Sequence, residues 1–241
     1  MITARNITKV YGGRRKSAQF TALDGISLEI AAGESVAIIG KSGSGKSTLM
    51  HLLALLDQPT SGEILVENKL TSKMRQREIN RLRNEKFGFV FQQFFMNARD
   101  SVLNNVMLPL KIAGVSYRKR KTRAMDALRI VDLTDKCKSK ANDLSGGQKQ
   151  RVCIARALVN QPEIIFADEP TGNLDSTTGQ KIEDLLFRLN KDKGITLIIV
   201  THDKELADRC DRQVYIKDGK IENNQKKESK KLTSVPRRVM L

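Results

Sequence analysis

A chain of 241 residues, 39% hydrophobic, can bury one substantial core and form a single domain with room for a subdomain. No run approaches the roughly 18 consecutive apolar residues of a membrane-spanning helix, and Met1-Ile2-Thr3-Ala4-Arg5-Asn6 does not open a signal peptide, so a soluble, cytosolic polypeptide is expected. Three separated cysteines (Cys137, Cys153, Cys210) and two histidines (His51, His202) argue against a disulfide framework and a zinc site. By contrast, 43 Lys and Arg against 27 Asp and Glu, a net charge of +16, favour a polyanionic neighbour, either nucleic acid or an anionic membrane face.

In chain order, residues 2–10 alternate loosely and suit an edge strand; Tyr11 and a basic, Gly-containing loop follow. Residues 26–30 alternate strictly, as a half-buried strand does, and a turn at Ala32-Gly33 leads into the β-branched run 35–39, read as a buried parallel strand. The apolar run 49–53 suits a buried helix. Between strand and helix lies Gly40-Lys41-Ser42-Gly43-Ser44-Gly45-Lys46-Ser47, followed by Thr48, which fits G-x-x-x-x-G-K-[ST] at every fixed position. Wrapping polyphosphate requires successive backbone N–H groups pointing inward, and glycine permits both the dihedrals and the close approach. The helix N-terminus adds about half a positive charge facing the anion. Lys46 would reach the β- and γ-phosphates and Ser47 would ligate Mg²⁺.

Beyond a turn at 58–62 and a strand at 63–66, residues 73–86 are read as a solvated basic helix with Ile79 and Leu82 on its apolar edge, in preference to a nucleic-acid contact. Residues 87–91 return to a strand that ends at Gln92. From 94 to 160 the period is helical: helices over 100–110 and 117–131, and a third starting after Leu144-Ser145-Gly146-Gly147, look like an insertion between strands of an α/β core. The core resumes with a strand at 163–166 before Ala167-Asp168-Glu169-Pro170. Ser176 is expected to cap a helix carrying Ile182, Leu185, Leu186 and Leu189, and a strand at 195–200 ends at Thr201-His202. A hairpin turns at Asp218-Gly219, and a polar, lysine-rich, flexible tail follows from 223.

Four apolar strands thus end in the phosphate loop, Gln92, Asp168-Glu169 and His202, and open parallel sheets place ligands at their carboxyl edge. Asp168 is suited to hold Mg²⁺ through water, and Glu169 to accept a proton from attacking water. Leu144-Ser145-Gly146-Gly147-Gln148 is either a second anion cradle at a helix start, serving another subunit's nucleotide, or a simple N-cap with flexible glycines.

The phosphate loop, Gln92, residues 144–148, Asp168-Glu169, Gly172-Asn173-Leu174-Asp175 and His202 stand in an order that resembles ATP-binding-cassette ATPases, over residues 1–222. Gln58-Pro59-Thr60-Ser61-Gly62, Gly88-Phe89-Val90-Phe91-Gln92-Gln93 and the stretch from Asp168 to Asp175 look most like the MacB/LolD-like branch, which includes cell-division relatives. The resemblance implies an α/β P-loop NTPase (RecA-like) core with an antiparallel β subdomain, together residues 1–93 and 161–222. It also implies an inserted α-helical subdomain at 94–160, leaving a basic tail at 223–241.

It further implies that Tyr11 stacks on adenine and that Lys46 and Ser47 bind phosphates and Mg²⁺. Gln92 senses the γ-phosphate and metal, Asp168 holds Mg²⁺, Glu169 is the general base and His202 positions the water. Ser145 and Gly147 touch the ATP of the opposite protomer, and Asp175 lies on that seam. The implied partners are a second copy in an ATP-sandwich dimer and an integral membrane permease subunit with an extracytoplasmic domain, MacB/LolC-like, at the cytoplasmic face of the membrane. The basic tail could touch anionic lipid. The ATPase would drive that subunit in export, lipoprotein release or, as a first rival, mechanical work on an extracytoplasmic domain without transport; the second rival, a nucleic-acid- or ribosome-associated ATPase, usually carries two cassettes or a long coiled-coil insertion, and this sequence has neither. The family often has proline where Ala141 stands and glutamate where Asn104 stands. Phe94-Phe95-Met96-Asn97-Ala98-Arg99-Asp100 departs from the Leu-rich pattern that follows the glutamine, on the surface expected to meet the membrane subunit.

Overall fold

The computed structural model describes residues 1–12 and 19–226. Two sheets carry the fold. The first is antiparallel, in the order β2 (Gln19–Ile30), β1 (Ile2–Gly12), β4 (Ser61–Val66), β5 (Lys69–Leu70). The second has six strands in the order β10 (Lys220–Lys226), β9 (Arg212–Lys217), β3 (Ser35–Ile39), β8 (Thr196–Thr201), β7 (Ile164–Asp168), β6 (Phe87–Phe91). Strands β9, β3, β8, β7 and β6 run parallel, and β10 closes the edge antiparallel to β9.

Strand period 2 divides the six-stranded sheet between two cores. On one face Ala37, Ile39, Ile165, Ala167, Leu197 and Ile199 pack with the helices α3 (Val102–Ile112), α4 (Tyr117–Ile130), α5 (Gly146–Leu158) and α6 (Ser176–Lys193). On the other, Val36, Ile38, Phe166, Ile198 and Val200 share a cluster with α1 (Lys46–Leu53) and the inner face of the first sheet. With buried side chains on both faces, these strands read as unbroken apolar runs. The regular elements of residues 94–160 are helices, with one isolated antiparallel bridge between Ser101 and Lys140; α2 (Gln76–Lys86) and the short α7 (Lys204–Arg209) complete the set.

Three expectations are corrected. β1 is not an edge strand: it pairs with β2 on one side and β4 on the other, and its loose alternation comes from irregularities in both ladders around Asn6, whose φ is 48°. The helix at 176–193 is capped by Asp175, whose carboxylate accepts the Thr178 N–H, so Ser176 is its first residue. Residues 223–226, assigned to the tail, pair with β9 and finish β10; the rest of the expected tail lies outside the described residues.

Phe166 is fully buried, 5.2 Å from the Phe87 ring edge-on and 5.7 Å from the Phe89 ring in a stacked arrangement. Phe166→Ala should cost about 3–5 kcal/mol, lowering the thermal midpoint by roughly 6–20 °C for a chain of this length. A calorimetric shift of a degree or two would show that this cluster does not anchor the sheet.

Candidate active site

Register alone assembles the site. Phe91 pairs with Asp168, Asp168 with Val200, and Ile39 with Thr201, so the residues that follow, Gly40, Gln92, Glu169 and His202, emerge side by side at the carboxyl edge. A cavity of about 690 Å³ opens there, lined by most of the phosphate loop with Gln92, Asp168, Glu169 and His202.

The loop is held open by close packing that excludes side chains. A Cβ on Gly40 would lie 2.2 Å from the Ile216 carbonyl oxygen, and one on Gly45, at φ 106°, 2.6 Å from that of Ala22. The Gly219 N–H donates to the Ser44 carbonyl at 3.1 Å, bracing the loop on the Asp218-Gly219 turn. No side chain caps α1, so its first N–H groups face the cavity without a side-chain acceptor of their own. Lys46 arches over the loop with its Nζ donating to the Lys41 carbonyl at 2.9 Å. Lys41, Ser42, Gly43, Gly45, Ser47 and Thr48 line the cavity, whereas Ser44 turns inward and its buried Oγ has no hydrogen-bond partner among the described residues.

Opposite the loop, burial pushes the Asp168 carboxyl above its ordinary value; the Glu169 charge adds to this, while His51 and Lys46 oppose it. Ser47, Gln92 and Asp168 offer only oxygen donors to this space, and a divalent cation would favour the ionised carboxylate that burial penalises. The donor set fits Mg²⁺. Among the described residues no group of three or more His, Cys, Asp or Glu gathers around a common point. A cation here would therefore draw most of its ligands from phosphate and water, as Mg²⁺ commonly does.

Glu169 stands at φ 45°, its N–H donating to the Val200 carbonyl at 2.9 Å. Its Oε1 accepts the His202 N–H at 3.1 Å and lies 2.7 Å from His202 Nδ1, and its Oε2 accepts the Thr201 hydroxyl at 3.3 Å. Oε2 keeps a lone pair for water. The hydrogen bond to Glu169, then the carboxylate's charge, raises the His202 pKa above its ordinary 6.5. This attraction therefore supports the fold fully below that ordinary value and is lost as pH rises through the raised one. With only His51 and His202 in the chain, NMR titration without nucleotide or metal should show His202 titrating high, and falling back in Glu169→Gln. An unchanged titration would break the link.

The second glycine stretch folds as an N-cap. Ser145 Oγ accepts the Gln148 N–H at 3.3 Å and Gln148 Oε1 accepts the Ser145 N–H at 3.0 Å, a reciprocal capping box at the start of α5. Residues 145–148 line no part of the phosphate-loop cavity. A Cβ on Gly147 would meet Thr178 Cγ2 at 2.3 Å, so α5 begins hard against the start of α6, beside the cap Asp175. Tyr11 does not line the cavity either: its hydroxyl donates to Asp57 Oδ2 at 3.0 Å, and Lys9 Nζ lies 4.9 Å from its ring centroid. Phe20, directly opposite Tyr11 on β2, does line it.

Three further residues join the site through contacts distant in sequence. Asn173 Nδ2 donates to the Gln92 carbonyl at 2.9 Å, and Gln92 Nε2 to Asn173 Oδ1 at 3.3 Å. Gln150, 1% exposed, sends its Nε2 to the Pro170 carbonyl at 2.6 Å and toward that of Phe91 at 3.4 Å, linking α5 to the chain where it leaves β7 and β6. Thr201 is the third, through its hydroxyl on Glu169.

Residues 23–172 match the family described as ABC transporter. The chain belongs to the ABC transporter family. An uncharacterised ABC transporter ATP-binding protein of Thermotoga maritima is 51% identical, over 83% of this chain and 86% of its own. The lipoprotein-releasing system ATP-binding protein LolD of Syntrophus aciditrophicus is 45% identical, over 92% of this chain and 98% of its own. The structure of the Methanocaldococcus jannaschii cassette MJ0796, dimeric and bound to ADP and Pi, superposes with a TM-score of 0.85 at 43% identity, covering 94% of this chain and 98% of that one. This ABC cassette is thus an ATP-binding and ATP-hydrolysing subunit, and these matches give no support to the nucleic-acid alternative. Among its described residues no helix is long and apolar enough to cross a membrane.

Proposed function

We propose that two copies of this cassette close head to tail over two ATP·Mg²⁺, hydrolyse them and reopen, driving a membrane permease subunit from the cytoplasmic face. The observation that carries this is the position of residues 145–148: a glycine-lined helix N-terminus outside the chain's own cavity serves a nucleotide only if another protomer presents it. The dimeric MJ0796 structures support the arrangement. Ser145 and Gly147 then meet the γ-phosphate of the opposite site, with Asp175 at the seam.

Within one protomer, the loop amides from Gly40 to Thr48 and the Lys46 ammonium bind phosphate. Ser47, Asp168 and Gln92 would hold Mg²⁺, which when bound offsets charge on the phosphates. Glu169 Oε2 takes the proton from the attacking water, and His202, anchored on Oε1, hydrogen-bonds the γ-phosphate and positions the water. Tyr11 turns onto the adenine beside Phe20. The membrane partner fits a groove of about 530 Å³ lined by Phe89, Phe91, Phe95, Leu108 and Ile112, adjoining Gln92. A permease partner is supported by the macrolide export ATP-binding/permease protein MacB of Campylobacter fetus, 48% identical, of which this chain spans 35%; that the partner carries an extracytoplasmic domain is part of the proposal.

Mixing two inactive variants tests the composite site. Lys46→Ala disables one protomer's loop and Ser145→Arg the other's helix start, so a mixed dimer retains one intact site. ATPase activity should partly return on mixing, with circular dichroism confirming that each variant folds. A mixture as inactive as its components would place each site within one chain.

A further inference from the structure

Among the described residues the net charge is concentrated in one segment. Residues 94–160 carry 14 Lys and Arg against five Asp, a net +9, while the other described residues carry 21 basic and 21 acidic side chains and balance. Between Asp100 and Asp126 there is no acid at all, yet this stretch holds Lys111, Arg118, Lys119, Arg120, Lys121 and Arg123. Among the described residues no carboxylate pairs with Lys111, Arg118, Lys119, Lys121 or Arg123, and all five are exposed. Nor does helix stability account for them. No side chain caps α4, and its first turn has cations and no acid, where the helix dipole favours the reverse.

The same turn between α3 and α4 exposes large apolar side chains: Ile112 is 71% exposed, Tyr117 60% and Leu108 48%. Cations interleaved with aliphatic and aromatic side chains match the chemistry of a bilayer interface, where ammonium and guanidinium groups meet lipid phosphates and apolar tips enter the acyl boundary. A nucleic-acid groove would have little use for Ile112 and Leu108. Both residues also line the groove assigned above to the membrane partner, so lipid contact falls to Tyr117 and the α4 cations beside that groove.

We propose that the α3–α4 turn is a lipid-contact surface that takes anionic phospholipid headgroups. The proposal rests on the reading that the cassette works at a membrane partner. It places the contact on the helical subdomain, where the sequence had suggested the C-terminal tail.

The test is co-sedimentation of the full chain with vesicles of phosphatidylcholine alone and of phosphatidylcholine with phosphatidylglycerol. Binding should require the anionic lipid, weaken as salt rises, and fall on the order of a hundredfold or more in the R118E/K119E/K121E/R123E variant. Tyr117→Ser, at a side chain outside the partner groove, should remove part of the salt-resistant binding. ATPase activity in solution should be unchanged in both variants, which shows that they fold, whereas failure of the full chain to co-purify with any integral membrane protein from native membranes would sink the membrane-partner reading, whatever the vesicles show. The lipid proposal is overturned by equal binding to neutral vesicles, or by a charge variant that binds as well as the unmodified chain. It is equally overturned by binding lost only on removing residues 227–241, or by salt-sensitive RNA binding in place of vesicle binding.

Discussion

Replacing Glu169 with Gln will leave ATP binding near its original level and lower phosphate release by roughly 10²–10⁴-fold. The amide is isosteric and its oxygen can still accept the His202 N–H now held at 3.1 Å, so the loop geometry survives. What disappears is the capacity to take a proton from water, together with a negative charge that helps to raise the Asp168 carboxyl. Asp168 ionises more readily as a result, which favours the bound cation. The variant should therefore accumulate in the closed, ATP-loaded dimer. Nucleotide binding by fluorescence and phosphate release measured on one preparation decide the matter, and normal release would remove Glu169 from the role of base.

Lys46→Ala should act at the opposite end of the cycle. The ammonium spans the loop to the Lys41 carbonyl and is the cation best placed to face phosphate. Removing it leaves buried phosphate charge without its partner, a loss of about 2–5 kcal/mol in affinity. Lys46 also restrains the upward shifts of both Asp168 and His202, so its loss makes Asp168 a poorer anion as well. Binding and turnover fall together, in contrast to Glu169→Gln. Titration calorimetry giving the original ATP affinity would contradict the cradle.

The parts of the site legible in the sequence are those whose hydrogen bonding is local. The phosphate loop announces itself because an uncapped helix start, three glycines and a lysine lie within eight residues of a buried strand. Gln92, Asp168-Glu169 and His202 follow because a buried strand is recognisable and its end is a fixed place in a parallel sheet. What the sequence hid is long-range. Asn173 reaches Gln92 across 81 positions, and Gln150 reaches Phe91 across 59. Gln150 also stands in a polar run, Gln148-Lys149-Gln150-Arg151, that gives no sign of burial. β1 reads as an edge strand because irregular pairing near Asn6 imitates the loose alternation of one. The cap Asp175 was one residue from the expected Ser176, and both residue types serve as caps, so only the accepted Thr178 N–H distinguishes them.

The brace between Ser44 and Gly219 bears on how the cassette comes into being. β3 is flanked by β8 and β9, and its loop leans on a turn some 175 positions later, so a ribosome has made nearly the whole cassette before a nucleotide has anything to grip. The loop has its full set of supports only once contacts of this sequence separation have closed, and such contacts are slow to form. Until then the apolar strand 35–39 lacks both neighbours, the kind of unpaired apolar surface that makes folding intermediates prone to aggregate.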